Sequence, residues 1–433
     1  MVVSQKTNIG SLTESLFIHL KQIFSAENVA NFSLICIFPL LFIYQFLVSQ
    51  FSDHIKPIFG GGWAITIVVL FFCLAYFYAK KFFLQRNEFF ILDYCFVIFL
   101  IFIFSITLLH YFAPLKAQYN VHLLHWNLSG VVSNATCYMA FRLSKISKPT
   151  FLRIWVSLTF LTFLAVAYNM IDINAPFFIN ENFTFGFKKI ENSWGYQGFA
   201  RSLLFTILIS IFLVPNSIFT VSMYVLGTLV LIANQSRTEL ILFVFSIPAI
   251  LVIFNSHKNR IKILFTISTL FLLIFLMFAF VPGLFSIFIN IFSNTRIASL
   301  FDLWNDPSFL IRIEQSSAAL HSIFENPLVG DYGEYYLGTG LAGNYSHNIL
   351  GVWVNFGLIG FLFYCGTMGF ILNFIFTTKL YIEDRVQIYV AGALGGSAIV
   401  AHLFSYTYVD VLLACAAGAV ANADSNRKAV QKN

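Results

Sequence analysis

The run Ser346-His347-Asn348-Ile349-Leu350-Gly351-Val352-Trp353-Val354-Asn355-Phe356-Gly357-Leu358-Ile359-Gly360 sets a polar His-Asn pair at the mouth of a long apolar segment. It closes the longest hydrophilic stretch of a chain that is otherwise lipid-soluble. Apolar residues continue to about 377, and a run of that length reads as a membrane-spanning helix, because ~20 apolar residues cover the hydrocarbon core. The imidazole of His347 therefore falls at a lipid–water boundary, where chemistry on lipid-carried substrates has to occur.

Composition carries this reading to the whole chain. Of 433 residues, 59% are hydrophobic and only 10% charged, with 54 phenylalanines, and the mean hydropathy is +0.81. A soluble domain carries roughly 25% charged residues, so a large water-soluble core is excluded. The formal net charge of +6 fits the positive-inside bias of membrane proteins, with no need for a nucleic-acid partner. The first apolar run begins near Asn31 after a polar leader, so no cleavable signal peptide is read. Cys36, Cys73, Cys95, Cys137, Cys365 and Cys415 all lie in apolar runs without metal-ligand spacing and read as small hydrophobes.

Twelve candidate spans follow, at about 31–51, 61–79, 89–113, 121–141, 154–171, 199–214, 217–234, 239–255, 263–291, 348–377, 387–404 and 406–423. The fourth, sixth and twelfth carry the weakest signal. The fold class expected is all-α, a polytopic membrane helix bundle, since open backbone cannot face lipid and no alternating pattern suggests a barrel. With both termini cytoplasmic, seventeen of the 25 Lys and Arg fall on the inner side and eight on the outer. The chain divides into a cytoplasmic leader 1–30 with an interfacial helix, spans 1–9 over 31–292, an outer loop 293–346, spans 10–12 over 347–423 and a cytoplasmic tail 424–433.

The outer loop has its own signals. Asp306-Pro307 reads as a helix cap followed by proline at the first helical position. Phe309, Ile313, Ser317, Leu320 and Phe324 then share one helical face, and Glu325-Asn326-Pro327 ends the helix. The loop is expected to be a short helical hairpin over the outer end of the bundle.

Three groups of residues could carry chemistry. Arg201, Arg237, Arg296 and Arg312 sit on the outer side, which is otherwise poor in positive charge. A guanidinium fork suits phosphate or pyrophosphate, although arginines at helix ends also simply snorkel to headgroups. His347 could take a proton from a hydroxyl or bind phosphate; it could equally cap the helix. Asp93 and Asp410 are costly in lipid and should face the bundle interior, as hydrogen-bonded supports or as a proton relay. No DxD, P-loop, nucleophile-elbow or HExxH pattern is present.

In this order of features the chain resembles the bacterial O-antigen polymerase and O-antigen ligase family. His347, Asn348, Gly357 and Gly360 match the family's His-Asn helix-mouth motif, Glu325-Asn326-Pro327-Leu328-Val329-Gly330 looks like its preceding turn, and Ser236-Arg237 is similar to its Ser-Arg-Gly motif. The resemblance covers roughly residues 195–365. Asn355 stands where an acidic residue is frequent, Leu350 lies one place early, and Thr238 replaces a glycine.

The resemblance implies a metal-independent glycosyltransferase without cofactor, in the bacterial inner membrane. It would move a glycan from an undecaprenyl-pyrophosphate carrier at the periplasmic face. A polymerase would transfer it to another lipid-linked repeat unit, and a ligase to lipid A–core. Polymerase is favoured for the phenylalanine-rich sequence and a second outer loop near 172–197. Catalytic roles would fall on His347, Arg312 and Arg237, and substrate binding on Arg201, Arg296 and Asn348. Partners would be the lipid-linked oligosaccharide and the bilayer, with room for a chain-length regulator. The competing reading from another class is a transporter or glycolipid flippase. It would call for two related six-span halves and a long central cytoplasmic loop, neither of which the sequence has.

Overall fold

The computed structural model describes residues 24–44, 63–85, 88–112, 120–172, 194–214, 217–233, 236–254, 303–333, 346–378 and 385–432. Among them the fold is all-α. The helices are α1 (Ala26–Ile35, continued by a π-helical turn Cys36–Leu40 around Pro39), α2 (Trp63–Leu84), α3 (Ile91–Phe112), α4 (Asn120–Leu143), α5 (Pro149–Asp172), α6 (Trp194–Leu213), α7 (Ser217–Ala233), α8 (Arg237–Phe254), α9 (Pro307–Glu325), α10 (Leu350–Thr377), α11 (Arg385–Phe404) and α12 (Leu412–Lys432). Seven of them, α1 with its π turn, α2, α3, α5, α8, α10 and α11, are long and apolar enough to cross a membrane, and α6 and α7 contain shorter apolar stretches. The ninth expected span, 263–291, lies outside the described residues, as does the interfacial helix expected before residue 24.

Two of the three weak signals, at α4 and α12, have a physical cause. Residues 412–423 of α12 are almost entirely buried, and seven of them are alanine or glycine. A Cβ added at Gly418 would meet the Tyr138 carbonyl at 2.4 Å, so α12 and α4 approach backbone to backbone. Small residues make such contacts between membrane helices, and a helix shielded from lipid needs little hydropathy. Val409 faces Gly130, Gly418 faces Tyr138, and the Asn422 amide donates to the Phe141 and Ser144 carbonyls at 2.8 and 2.6 Å. The two helices therefore run parallel at the centre. By contrast α3 turns Leu92, Asp93, Phe96, Phe99, Leu100, Ile103 and Thr107 inward and leaves Ile98, Ile101 and Leu109 exposed, the stripe expected of a lipid-facing span.

Buried carboxylates mark both ends of the bundle. At the first, Asp93 accepts from Arg142 Nε at 2.8 Å, from the Phe90 amide at 2.8 Å and from the Tyr138 hydroxyl. Both side chains of the ion pair are at most 1% exposed. Such a pair is retained because losing either partner strands a charge in low dielectric. Asp410 marks the other end. It precedes α12, which begins at Leu412 and runs to Lys432, later at both edges than the expected 406–423.

Candidate functional site

The Asp410 end is built around the turn 405–411 between α11 and α12. Arg201 on α6 forms an ion pair with Asp410, lies 3.9 Å from Glu239 Oε1, and stacks 4.6 Å above the Tyr406 ring. The Tyr406 hydroxyl donates to Glu239 Oε1 at 2.7 Å. Asp410 Oδ2 accepts from the Thr407 amide at 2.8 Å, which fixes the turn. Glu239, Tyr406 and Asp410 are all buried. Burial, and then the Glu239 charge, push the Tyr406 phenol well above its ordinary value, so it stays a hydrogen-bond donor.

Arg237 and Glu239 share the first turn of α8. Arg237 pairs with Asp306, the residue before α9. The Asp306 carbonyl accepts from the Phe309 and Leu310 amides at 3.0 and 3.1 Å, so helix α9 starts at Pro307 as the Asp-Pro signal predicts. Thr238 and Ser405 share a hydrogen bond of 3.0 Å, and Arg312 Nη1 donates to the same Ser405 hydroxyl at 3.3 Å. One turn on, the Ser316 hydroxyl accepts from the Asn348 amide at 3.0 Å. Asn348 Oδ1 accepts from the Ser346 hydroxyl at 2.6 Å and from the Leu350 amide at 2.9 Å, so the capping role at the α10 mouth falls to Asn348. His347 stands half-buried beside it.

Five of the six residues singled out from sequence, Arg201, Arg237, Arg312, His347 and Asn348, thus lie at one end of the bundle. Four of them make the contacts that link α6, α8, α9, the 405–411 turn and the α10 mouth, and His347 is next in sequence to Asn348. Arg296 lies outside the described residues. Sequence reasoning missed Asp306, Ser405 and Tyr406 as partners. The polar interruption Ser405-Tyr406-Thr407 in an apolar run was the available signal.

A second device holds α9 against α10. At Gly357, φ is +63° and ψ −168°, which breaks the α10 helix. An unbroken helix would pair the Leu358 amide with the Val354 carbonyl. Here both are rerouted to the turn 326–333. The Leu358 amide donates to the Pro327 and Leu328 carbonyls at 3.1 and 3.2 Å, and the Val354 carbonyl accepts from the Asp331 amide at 2.6 Å. Trp353 Nε1 adds a bond to the Pro327 carbonyl at 2.8 Å. Asn355 accepts from the Gly333 amide at 3.0 Å and donates to the Gly351 carbonyl at 2.7 Å, a two-sided role open to an amide and closed to a carboxylate. Tyr332 stacks on His110 at 4.5 Å and accepts from Asn127 at 2.7 Å.

Helix α9 lies the opposite way from a surface helix of a soluble protein. Gln315, Ala319, Ser322 and Ile323 are buried, while Ile313, Leu320 and Phe324 of the apolar stripe are exposed, Phe324 by 83%. Ala319 and Ile323 pack on Val354. With Ile313, Leu320 and Phe324 outward beside exposed His321 and Glu325, the outer side of α9 is amphipathic, as on a helix at a lipid–water interface. The second arm of the expected hairpin would fall at 334–345, outside the described residues. Among the described residues no three His, Cys, Asp or Glu group as metal ligands.

Fold and site together define a polytopic membrane protein with an arginine- and carboxylate-rich site at one end of the bundle. Residues 222–365 match a family model, Wzy_C, described as O-antigen ligase, which bears out the resemblance to the O-antigen ligase and polymerase family over that third of the chain. The match covers α8, α9 and the α10 mouth, and with them Arg237, Arg296, Arg312, His347 and Asn348; Arg201 lies outside it. No curated protein matches the chain.

Proposed function

We propose that this protein is an O-antigen or related surface-polysaccharide polymerase of the bacterial inner membrane. It transfers glycan from an undecaprenyl-pyrophosphate carrier to another lipid-linked repeat unit, without a metal. The observation that carries the reading is the joining of α6, α8, α9 and the α10 mouth through Arg201, Arg237, Arg312 and Asn348, within and beside the segment that matches the family model. The Asp410 end is then periplasmic, with 293–346 as the outer loop, and both termini are cytoplasmic. The basic residues Lys80, Lys81, Arg142, Lys145, Lys148 and Arg385 at the Asp93 end support that orientation.

In this reading Arg312 and Arg237 neutralise the pyrophosphate as it leaves, since fixed guanidinium donors favour the developing charge without reorganising. Arg201, Arg296 and Asn348 hold substrate, and His347 positions or deprotonates the acceptor hydroxyl. The outward apolar face of α9 supports lateral approach of lipid-carried substrates. A ligase reading, transfer to lipid A–core, is favoured by the description of the matching family model.

Deleting the gene and resolving surface polysaccharide on gels separates the two. Core bearing a single repeat indicates a lost polymerase, and bare core with carrier-linked polymer indicates a lost ligase. An unchanged ladder would sink both. His347→Ala and Arg312→Ala variants that express normally should lose polymer; full polymer length in either removes that residue from the site.

A further inference from the structure

The Asp93 end carries a cavity that plays no part in the proposed transfer. It has a volume of about 260 Å³ and opens between α3, α10 and α12. Its wall is apolar, with Phe370, Phe374 and Val420, and its rim is polar, with Thr378, Asp424 and Arg427. Arg427 Nη2 binds Asp424 Oδ1 at 2.7 Å, one helical turn away. Arg427 Nε and Thr378 Oγ1 are both buried without a hydrogen-bond partner among the described residues, and Thr378 is only 8% exposed. A buried donor left unmade costs about 1–3 kcal/mol, more when charged, so both call for an acceptor from a ligand.

Charge narrows the chemistry. Asp424 and Arg427 offer both signs side by side, and among the described residues at this end Lys81 pairs with Glu88 at 3.0 Å and Arg142 with Asp93. Among the described residues the charged lining of the cavity is therefore two-signed, which suits a two-signed headgroup better than an anionic one. The volume lies below the ~300–1,000 Å³ of a whole-ligand pocket, enough for a headgroup with its chains outside.

We propose that this cavity binds the phosphoethanolamine headgroup of a membrane phospholipid. The phosphate accepts from Arg427 Nε and Thr378 Oγ1, and the ammonium N–H groups lie against Asp424. The acyl chains run along the lipid-facing surface beside Ile91, which is 64% exposed. The ammonium must carry N–H groups to bond the carboxylate, so phosphatidylcholine is a poor substitute.

The test uses the full chain, delipidated in mild detergent and titrated with phosphatidylethanolamine, phosphatidylcholine or phosphatidylglycerol, with bound lipid read by native mass spectrometry. Phosphatidylethanolamine should bind about tenfold or more tighter than the other two, and soluble phosphoethanolamine should not compete. Arg427→Gln and Thr378→Val should each abolish the preference while melting like wild type without lipid. Equal binding of all three lipids, a preference for phosphatidylglycerol, or an unchanged preference in Thr378→Val means bulk lipid only and overturns the proposal. Competition by soluble phosphoethanolamine overturns its lipid basis. Thr378→Val is nearly isosteric and decides the matter alone if Arg427→Gln fails to fold.

Discussion

Substituting Gly357 by alanine tests whether the break in α10 is what docks the loop. A Cβ at this position would lie 2.1 Å from the Leu328 carbonyl oxygen and 2.6 Å from the Val329 carbonyl carbon, with φ at +63°. The neighbouring atoms are backbone, so the turn must move away. Releasing it gives up the bonds made by the Leu358, Asp331 and Gly333 amides and by Trp353 Nε1. The closed helix regains one bond, from the Leu358 amide to the Val354 carbonyl. A net loss of three hydrogen bonds, at about 1 kcal/mol each, plus lost packing gives about 3–5 kcal/mol. For a chain of this length that corresponds to a melting shift of roughly 3–5 °C.

Gly366→Ala in the same helix is the control. No atom lies within 4 Å of its added Cβ, so it should gain up to ~1 kcal/mol from helix propensity. A thiol-reactive fluorophore reads both melts through the buried Cys36, Cys137 and Cys415, with exposed Cys73 as the baseline. If Gly357→Ala melts at or above Gly366→Ala, the docking argument is wrong.

Arg142→Met should cost about 3–5 kcal/mol by stranding Asp93, and the double variant Arg142→Met/Asp93→Leu should recover part of that loss; a double variant less stable than the single one refutes the pairing argument, by the same melt. Tyr406→Phe removes the donor to Glu239 and should cost about 1.5–3 kcal/mol near pH 7. Because burial raises the Tyr406 pKa in the fold, its neutral form adds stability that is complete below ~10 and is lost as pH rises through the folded value. Wild type should therefore lose stability more steeply than Tyr406→Phe as pH rises above ~10, and parallel slopes in that range would refute the shift.

Much of this architecture is local and so was legible in sequence. Hydropathy located the described spans to within a few residues for most of them, and Asp306-Pro307 marked the start of α9. Ser236-Arg237, the Asn326–Gly330 turn and the His347-Asn348 pair stood out as candidates. What was not legible depends on partners far apart in the chain. Arg201 with Asp410 and Arg237 with Asp306 are ion pairs that no local pattern announces. The orientation of α9 was equally hidden, because an amphipathic stripe reads the same whether its apolar side meets protein or lipid. Asn355 looked like a departure from an acidic position, and only the geometry shows that it bonds in both directions.

The parallel pairing of α4 with α12 has a consequence in time. The Asn134 amide donates to the Val409 carbonyl at 3.1 Å, and the Phe141 carbonyl is met by Asn422, 281 residues later. At ~5–20 residues per second of synthesis, α4 leaves the ribosome roughly 15–55 s before the helix that covers it. For that interval its buried asparagines and Arg142 lack part of their shield, although Asp93 on α3 is already at hand. A nascent chain halted before residue 405 should therefore leave α4 open to water-soluble cysteine reagents at Cys137, and the finished chain should close it.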